Sequence, residues 1–172
     1  MARLFFALWP DARVRGDIEA VARDLPLQEA RRVAASNTHL TLAFLGEVDA
    51  AICAALVDAT DRLSCLPFAL RLDRLGWWPK PKIAWLAPST CPDELLQLAV
   101  ALQELARDCG LSLDERPYRP HVTLARQVRA APPPSAIEPI AWNIKEFCLL
   151  ASATRDCRVA YQVKRSWPLK FM

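Results

Sequence analysis

The chain has only two histidines, His39 and His121, and each begins the tetrapeptide His-x-Thr-Leu, with about half of the 172 residues between them. Composition alone would give that coincidence on the order of once in 10³ chains or less. Side chains alternate along a strand that rises about 3.3 Å per residue, so His39 and Thr41 share one face, about 7 Å apart, while Leu40 and Leu42 share the other. His121 and Thr123 stand against Val122 and Leu124 in the same way. One amphipathic strand with a histidine would be unremarkable packing. Two copies of the pattern point to a site, and their spacing points to two similar half-domains.

The flanking sequence predicts an α+β chain. Arg3 to Trp9 is a short apolar run expected to form a buried strand, and Pro10 and Asp11 open a helix to about Leu25. A brief extended piece near Arg31 to Ala34 leads through Ser36 and Asn37 into the first motif strand, which Gly46 closes. Asp49 caps a second helix to about Leu63. Phe68 to Leu75 alternates as a strand, Trp77 to Lys82 makes a proline-rich turn, and Ile83 to Leu86 returns. A third helix, with Thr90 as its cap, runs from Pro92 to about Cys109 and stops at Gly110. Pro117 and Pro120 forbid helix before the second motif strand, His121 to Arg126. Two antiparallel strands, Ile140 to Ala153 and Val159 to Trp167, finish the chain. The total is roughly eight strands and three helices with no glycine- or serine-rich linker, so residues 1–172 are expected to form a single bilobed domain.

Two imidazoles near neutral pH can act as general base and general acid, one neutral and one protonated. The Thr41 and Thr123 hydroxyls suit the non-bridging oxygens of a phosphate, and Arg126 is the candidate cation for the transition-state charge. Strict alternation puts Arg126 on the face opposite His121, so a bend at the strand end is needed to bring it round. The four glycines form no phosphate-cradling loop, and the histidines have no cysteine or carboxylate cluster beside them. No nucleotide cofactor or metal is therefore expected. Trp77, Trp78 and Tyr118 are candidates to stack on bases, and Lys80 and Lys82 to lead an RNA backbone toward the site. Trp9, Trp85, Trp142 and Trp167 read as structural.

The quoted motifs resemble those of the two-histidine (2H) phosphoesterases, and within them the bacterial RNA 2′,3′-cyclic phosphodiesterases once called 2′-5′ RNA ligases. The resemblance runs from RLFFALWP (Arg3 to Pro10) through NTHLTLAFLGEV and RPYRPHVTLAR to YQVKRSWPL (Tyr161 to Leu169). Thr38 departs from it, standing where relatives usually carry an apolar residue. The resemblance implies two antiparallel sheets related by a pseudo-twofold axis about a central groove, with one His-x-Thr strand in each lobe and the helices on the outer faces. It also implies hydrolysis of an RNA-terminal 2′,3′-cyclic phosphate to a 2′-phosphomonoester, with a weak reverse 2′-5′ ligation. In that scheme His121 would activate water and His39 would protonate the leaving O3′. Two other readings stay open: a phosphoesterase for a small cyclic phosphate such as ADP-ribose 1″,2″-cyclic phosphate, and a non-catalytic protein that binds RNA ends.

A net charge of +3 suits an anionic ligand without requiring one. Cys53, Cys65, Cys91, Cys109, Cys148 and Cys157 contain no CxxC pair and read as reduced thiols, which with the absence of a signal peptide or spanning segment predicts a cytoplasmic protein away from membranes. A monomer is expected, with the RNA end as its partner.

Overall fold

The apolar run of the N-terminus becomes the middle of a sheet. In the computed structural model, which describes residues 2–27, 29–133, 135–155 and 158–170, strand β1 (Ala2–Leu8) is buried at each position from Leu4 to Leu8. It lies between β3 (Leu40–Val48) and β9 (Glu146–Arg155), and β10 (Arg158–Pro168) follows β9 at the sheet edge. Beyond β3 come β7 (Val122–Arg126), β6 (Ile83–Ala87) and β5 (Arg74–Trp78), with the two-residue β2 (Arg31–Arg32) also paired to β7. A second, two-stranded sheet joins β4 (Phe68–Leu72) to β8 (Ile140–Ile144). All these pairings are antiparallel.

The α+β class and the two antiparallel sheets agree with the sequence, but the strands divide between them differently. Both His-x-Thr strands belong to the larger sheet, where β3 and β7 meet at one residue pair, Leu40 with Val122. That seam separates a wing of β3, β1, β9 and β10 from a wing of β7, β6, β5 and β2. Two stretches expected as single strands are broken, at Asp73 and at Lys145, and each break carries the chain from one sheet to the other. Asp73 turns aside because its carboxylate accepts from the Ser89 backbone N–H and hydroxyl.

Three helices back the sheets. Helix α1 (Ala12–Asp24) is capped by the Asp11 carboxylate, which accepts from the Val14 N–H, and α2 (Ala50–Thr60) by Asp49, which accepts from the Ile52 N–H. Helix α3 (Asp93–Asp108) begins after Pro92 and takes no side-chain cap from Thr90; instead Asp93 and Glu94 place negative charge at its positive end. Val14 and Ile18 of α1, Leu56 of α2 and Leu98 and Leu102 of α3 share one core with Leu4, Phe6, Leu40, Leu42, Val122 and Leu124 of the sheet. Each such side chain contributes about 1.5–3 kcal/mol on burial.

Residues on the other face of β1, Phe5 and Ala7, form a separate small cluster with Cys148 and Leu150, and that face carries the groove. Its shape depends on bulges. Ala7 pairs with Thr41 and Phe6 with Ala43, leaving Leu42 as an extra residue in β3. Trp85 pairs with Thr123 and Ala84 with Ala125, leaving Leu124 extra in β7. The two bulges occupy the same place in the two motifs, directly after the threonine.

Candidate active site

Each histidine is held by the backbone two residues before it. The Nδ1–H of His39 donates to the Asn37 carbonyl at 2.7 Å, and the Nδ1–H of His121 donates to the Arg119 carbonyl at 2.7 Å. A carbonyl can only accept, so both neutral rings carry their proton on Nδ1 and leave Nε2 free. The matching bonds, together with the Leu40–Val122 bridge between the residues that follow, are the local signature of the twofold relation between the halves.

The surroundings of the two rings are less alike. His39 packs against Phe5 at 5.0 Å and Tyr161 at 5.0 Å, with Trp9 stacked at 6.4 Å. The cage is itself tied down, because the Asn37 side-chain amide donates to the Val159 carbonyl and its oxygen accepts from the Tyr161 N–H. His121 meets the Trp78 ring edge-on at 4.7 Å, and Trp78 rests on Trp85 at 5.1 Å. Burial pushes the pKa of both histidines below the usual imidazole value; the charge of Arg126 pushes both further down, and His121 adds to the effect on His39. The carbonyl bonds work in the opposite direction.

A cavity of about 790 Å³ brings His39, Thr41, Thr123 and Arg126 together. Arg126 reaches it through the bulge: with Leu124 and Ala125 buried in succession, alternation slips by one and the next side chain faces the groove. Its twofold counterpart, three residues after Thr41, is the 48 % exposed Phe44, which also lines the cavity. Next to this space a second cavity of about 580 Å³ takes in His121, Thr41, Phe44, Trp78, Lys80 and Tyr118. Tyr118 is a brace within it, its hydroxyl donating to the Thr41 carbonyl at 3.0 Å. Trp77, on the opposite face from Trp78, packs with Ala84, Ala125 and Val128 and donates its indole N–H to the Val128 carbonyl. Neither Trp77 nor Lys82 lines either of these two cavities.

The sequence alone does not mark Arg3, Phe5, Arg31, Asn37, Phe44 or Tyr161, which line the larger cavity, while Trp9, expected to be structural, packs beside His39. The alternation of Arg3, Phe5 and Ala7 within RLFFALWP held a signal that the apolar character of the run obscured. Trp142 and Trp167 lie in the main core as expected. Among the described residues no group of three or more potential metal ligands comes together, and Cys53, Cys65, Cys91, Cys109 and Cys148 are free thiols; Cys157 lies outside those residues. Among the described residues no helix is long and apolar enough to cross a membrane.

Two His-x-Thr strands meeting at one groove between twofold-related wings make the framework of a 2H phosphoesterase. The description 2′-5′ RNA ligase superfamily matches residues 9–156, and the chain belongs to that family. It is 38% identical over 173 residues, covering 97% of this chain and 96% of the relative, to a protein of Escherichia coli (strain K12) named RNA 2′,3′-cyclic phosphodiesterase. A protein of the same name from Thermus thermophilus is 29% identical, covering 98% of this chain and 90% of the relative. A crystal structure of E. coli LigT complexed with 3′-AMP superposes with a TM-score of 0.90 at 36% identity, covering 99% of each chain.

Proposed function

We propose that the chain is an RNA 2′,3′-cyclic phosphodiesterase that opens a terminal cyclic phosphate to a 2′-phosphomonoester. The observation that carries this reading is the pair of matched Nδ1–carbonyl bonds, which leave Nε2 free on both rings, with His39 in the cavity lined by Thr41, Thr123 and Arg126 and His121 in the adjoining cavity that shares Thr41 and Phe44 with it. The names borne by its relatives fit the same chemistry.

In the proposed step, His121 Nε2 takes a proton from water as the water oxygen attacks phosphorus. The bond from phosphorus to O3′ breaks, and protonated His39 gives its Nε2 proton to the departing oxygen. The threonine hydroxyls donate to the non-bridging oxygens and the Arg126 guanidinium meets the charge that builds on them. With the 5′-hydroxyl of a second RNA end in place of water, His121 would take its proton as it attacks phosphorus and His39 would again protonate the departing O3′, so the same pair in the same roles would support a slow 2′-5′ joining of RNA ends.

The test is incubation of purified protein with a nucleoside 2′,3′-cyclic phosphate, following products by phosphorus NMR, with and without EDTA. A 2′-monophosphate formed at the same rate in both supports the reading. No turnover, a 3′-product, or activity restored by added metal after chelation would sink it.

A further inference from the structure

The larger cavity holds more positive charge than one cyclic phosphate balances. Arg3, Arg31 and Arg126 all line it, and no aspartate or glutamate does so among the described residues. Their neighbour Arg32 has a separate task, its Nε donating to the Ala22 carbonyl at 3.0 Å and an Nη to the Leu25 carbonyl at 2.7 Å at the end of α1. Arg31 sits directly opposite Arg126 in the β2–β7 pair. Opposed residues of an antiparallel pair have Cβ atoms about 5 Å apart on one face, where like charges repel unless an anion lies between them. Arg3 approaches from the other wing. It lies two residues before Phe5 in β1, hence about 7 Å along the strand from the residue whose ring touches His39, and its guanidinium sits 5.1 Å from the centre of the Phe44 ring.

A terminal cyclic phosphate is a diester with one negative charge, and in the reading above Arg126 and the two threonines already meet it. Two guanidiniums, one from each wing, are then left in the same cavity. We propose, resting on that cyclic phosphodiesterase reading, that Arg3 and Arg31 hold the phosphodiester on the 5′ side of the terminal nucleoside. The substrate is then an oligoribonucleotide whose chain leaves over β1 and β2, and not past the turn between β5 and β6. The second cavity also carries Lys80 and Arg119, but the Asp114 carboxylate lines it as well and pairs with its Arg116, and much of its remaining wall is Trp78, Pro81, Pro117 and Tyr118.

The experiment compares steady-state turnover of a nucleoside 2′,3′-cyclic phosphate with that of a trinucleotide ending in the same group, at two salt concentrations. Wild-type protein is measured beside Arg3→Ala/Arg31→Ala, Arg3→Lys/Arg31→Lys and Lys80→Ala/Lys82→Ala. The double arginine-to-alanine variant should lower kcat/KM for the trinucleotide about tenfold or more, mainly through KM, with a far smaller loss on the mononucleotide and a shallower salt dependence. The lysine replacements at Arg3 and Arg31 should recover much of the loss, and Lys80→Ala/Lys82→Ala should cost the trinucleotide less than the arginine pair. Equal loss on both substrates, no loss on either, or a larger trinucleotide effect from the lysine pair overturns the proposal. Wild-type protein that turns over neither substrate overturns the underlying reading as well, whereas normal wild-type turnover with unaffected arginine variants removes only the role of Arg3 and Arg31.

Discussion

Tyr118 donates its hydroxyl to the carbonyl of Thr41 at 3.0 Å, fastening the segment that leads into the second motif to the strand of the first. The bond crosses between the halves close to their seam. Tyr118→Phe removes the donor and leaves a part-buried carbonyl unmatched, which should destabilise the fold by about 1–3 kcal/mol. At this chain length that is about 2–4 °C in Tm per kcal/mol, readable by calorimetry. Because Thr41 borders the cavity, kcat/KM should fall with it, and a Tyr118→Phe protein with unchanged Tm and turnover would show the brace to be idle. Burial pushes the Tyr118 phenol far above its ordinary value, so an alkaline absorbance titration should find it un-ionised until the chain unfolds.

The histidines should fail as a unit. His39→Ala and His121→Ala are each expected to cost on the order of 10²-fold or more in kcat, and the double variant much less than the product of the two, because acid and base act in one step. Thr41→Ala and Thr123→Ala remove one hydrogen bond each to a charged phosphate, about 1.5–3 kcal/mol in kcat/KM. Near-normal turnover by either single histidine variant would return that residue to packing.

The pH dependence follows from the direction of the histidine shifts. Both pKa values lie below the usual imidazole value, so the bell of kcat/KM against pH should centre below about 6.5, its limbs belonging to the coupled pair. Arg126 lowers both, so Arg126→Gln should move the whole bell to higher pH while reducing its height. Stability has a definite sign too. An unfolded histidine binds its proton near pH 6.5 and the folded one only at lower pH, so protonation favours unfolding and stability falls as pH drops below about 6.5. Urea unfolding across pH 5–7.5 should show this slope, and His39→Gln should flatten it.

A glycine far from the motifs supports His121. A Cβ added at Gly76 would run into the Trp85 indole ring, which underlies Trp78, the ring that meets His121. Gly76→Ala should therefore displace the stack and lower kcat more than its loss of Tm alone would suggest. Gly16→Ala, with open space around its added Cβ, serves as the control that should leave turnover intact.

What could be read from the sequence was local. His39, Thr41, His121 and Thr123 declared themselves because a four-residue pattern and a two-residue alternation suffice to place them on one face. Arg126 could be named as the cation but not placed on that face, because its direction depends on the extra residue at Leu124, and that residue is extra only by comparison with its partner β6. At Asp73 and Lys145 the sequence shows only two successive charged residues, Asp73-Arg74 and Lys145-Glu146, that shift the apolar alternation by one; that the strands part there and join different sheets depends on their partners. Arg31 and Arg3 became visible as site residues once β2 was paired to β7 and β1 to β3.

The bulge at Leu124 also guards the fold against its nearest error. A β7 strand laid down one residue out of step, without the extra position, would turn the Arg126 guanidinium toward the face where Val122 and Leu124 meet the helices. An unpaired charge forced into that layer costs several kcal/mol, enough to make the slipped register scarce in a protein of ordinary stability. The residue that brings charge to the groove thereby acts as a proofreader of strand alignment, and a change such as Arg126→Leu would remove the reading cation and the alignment check together.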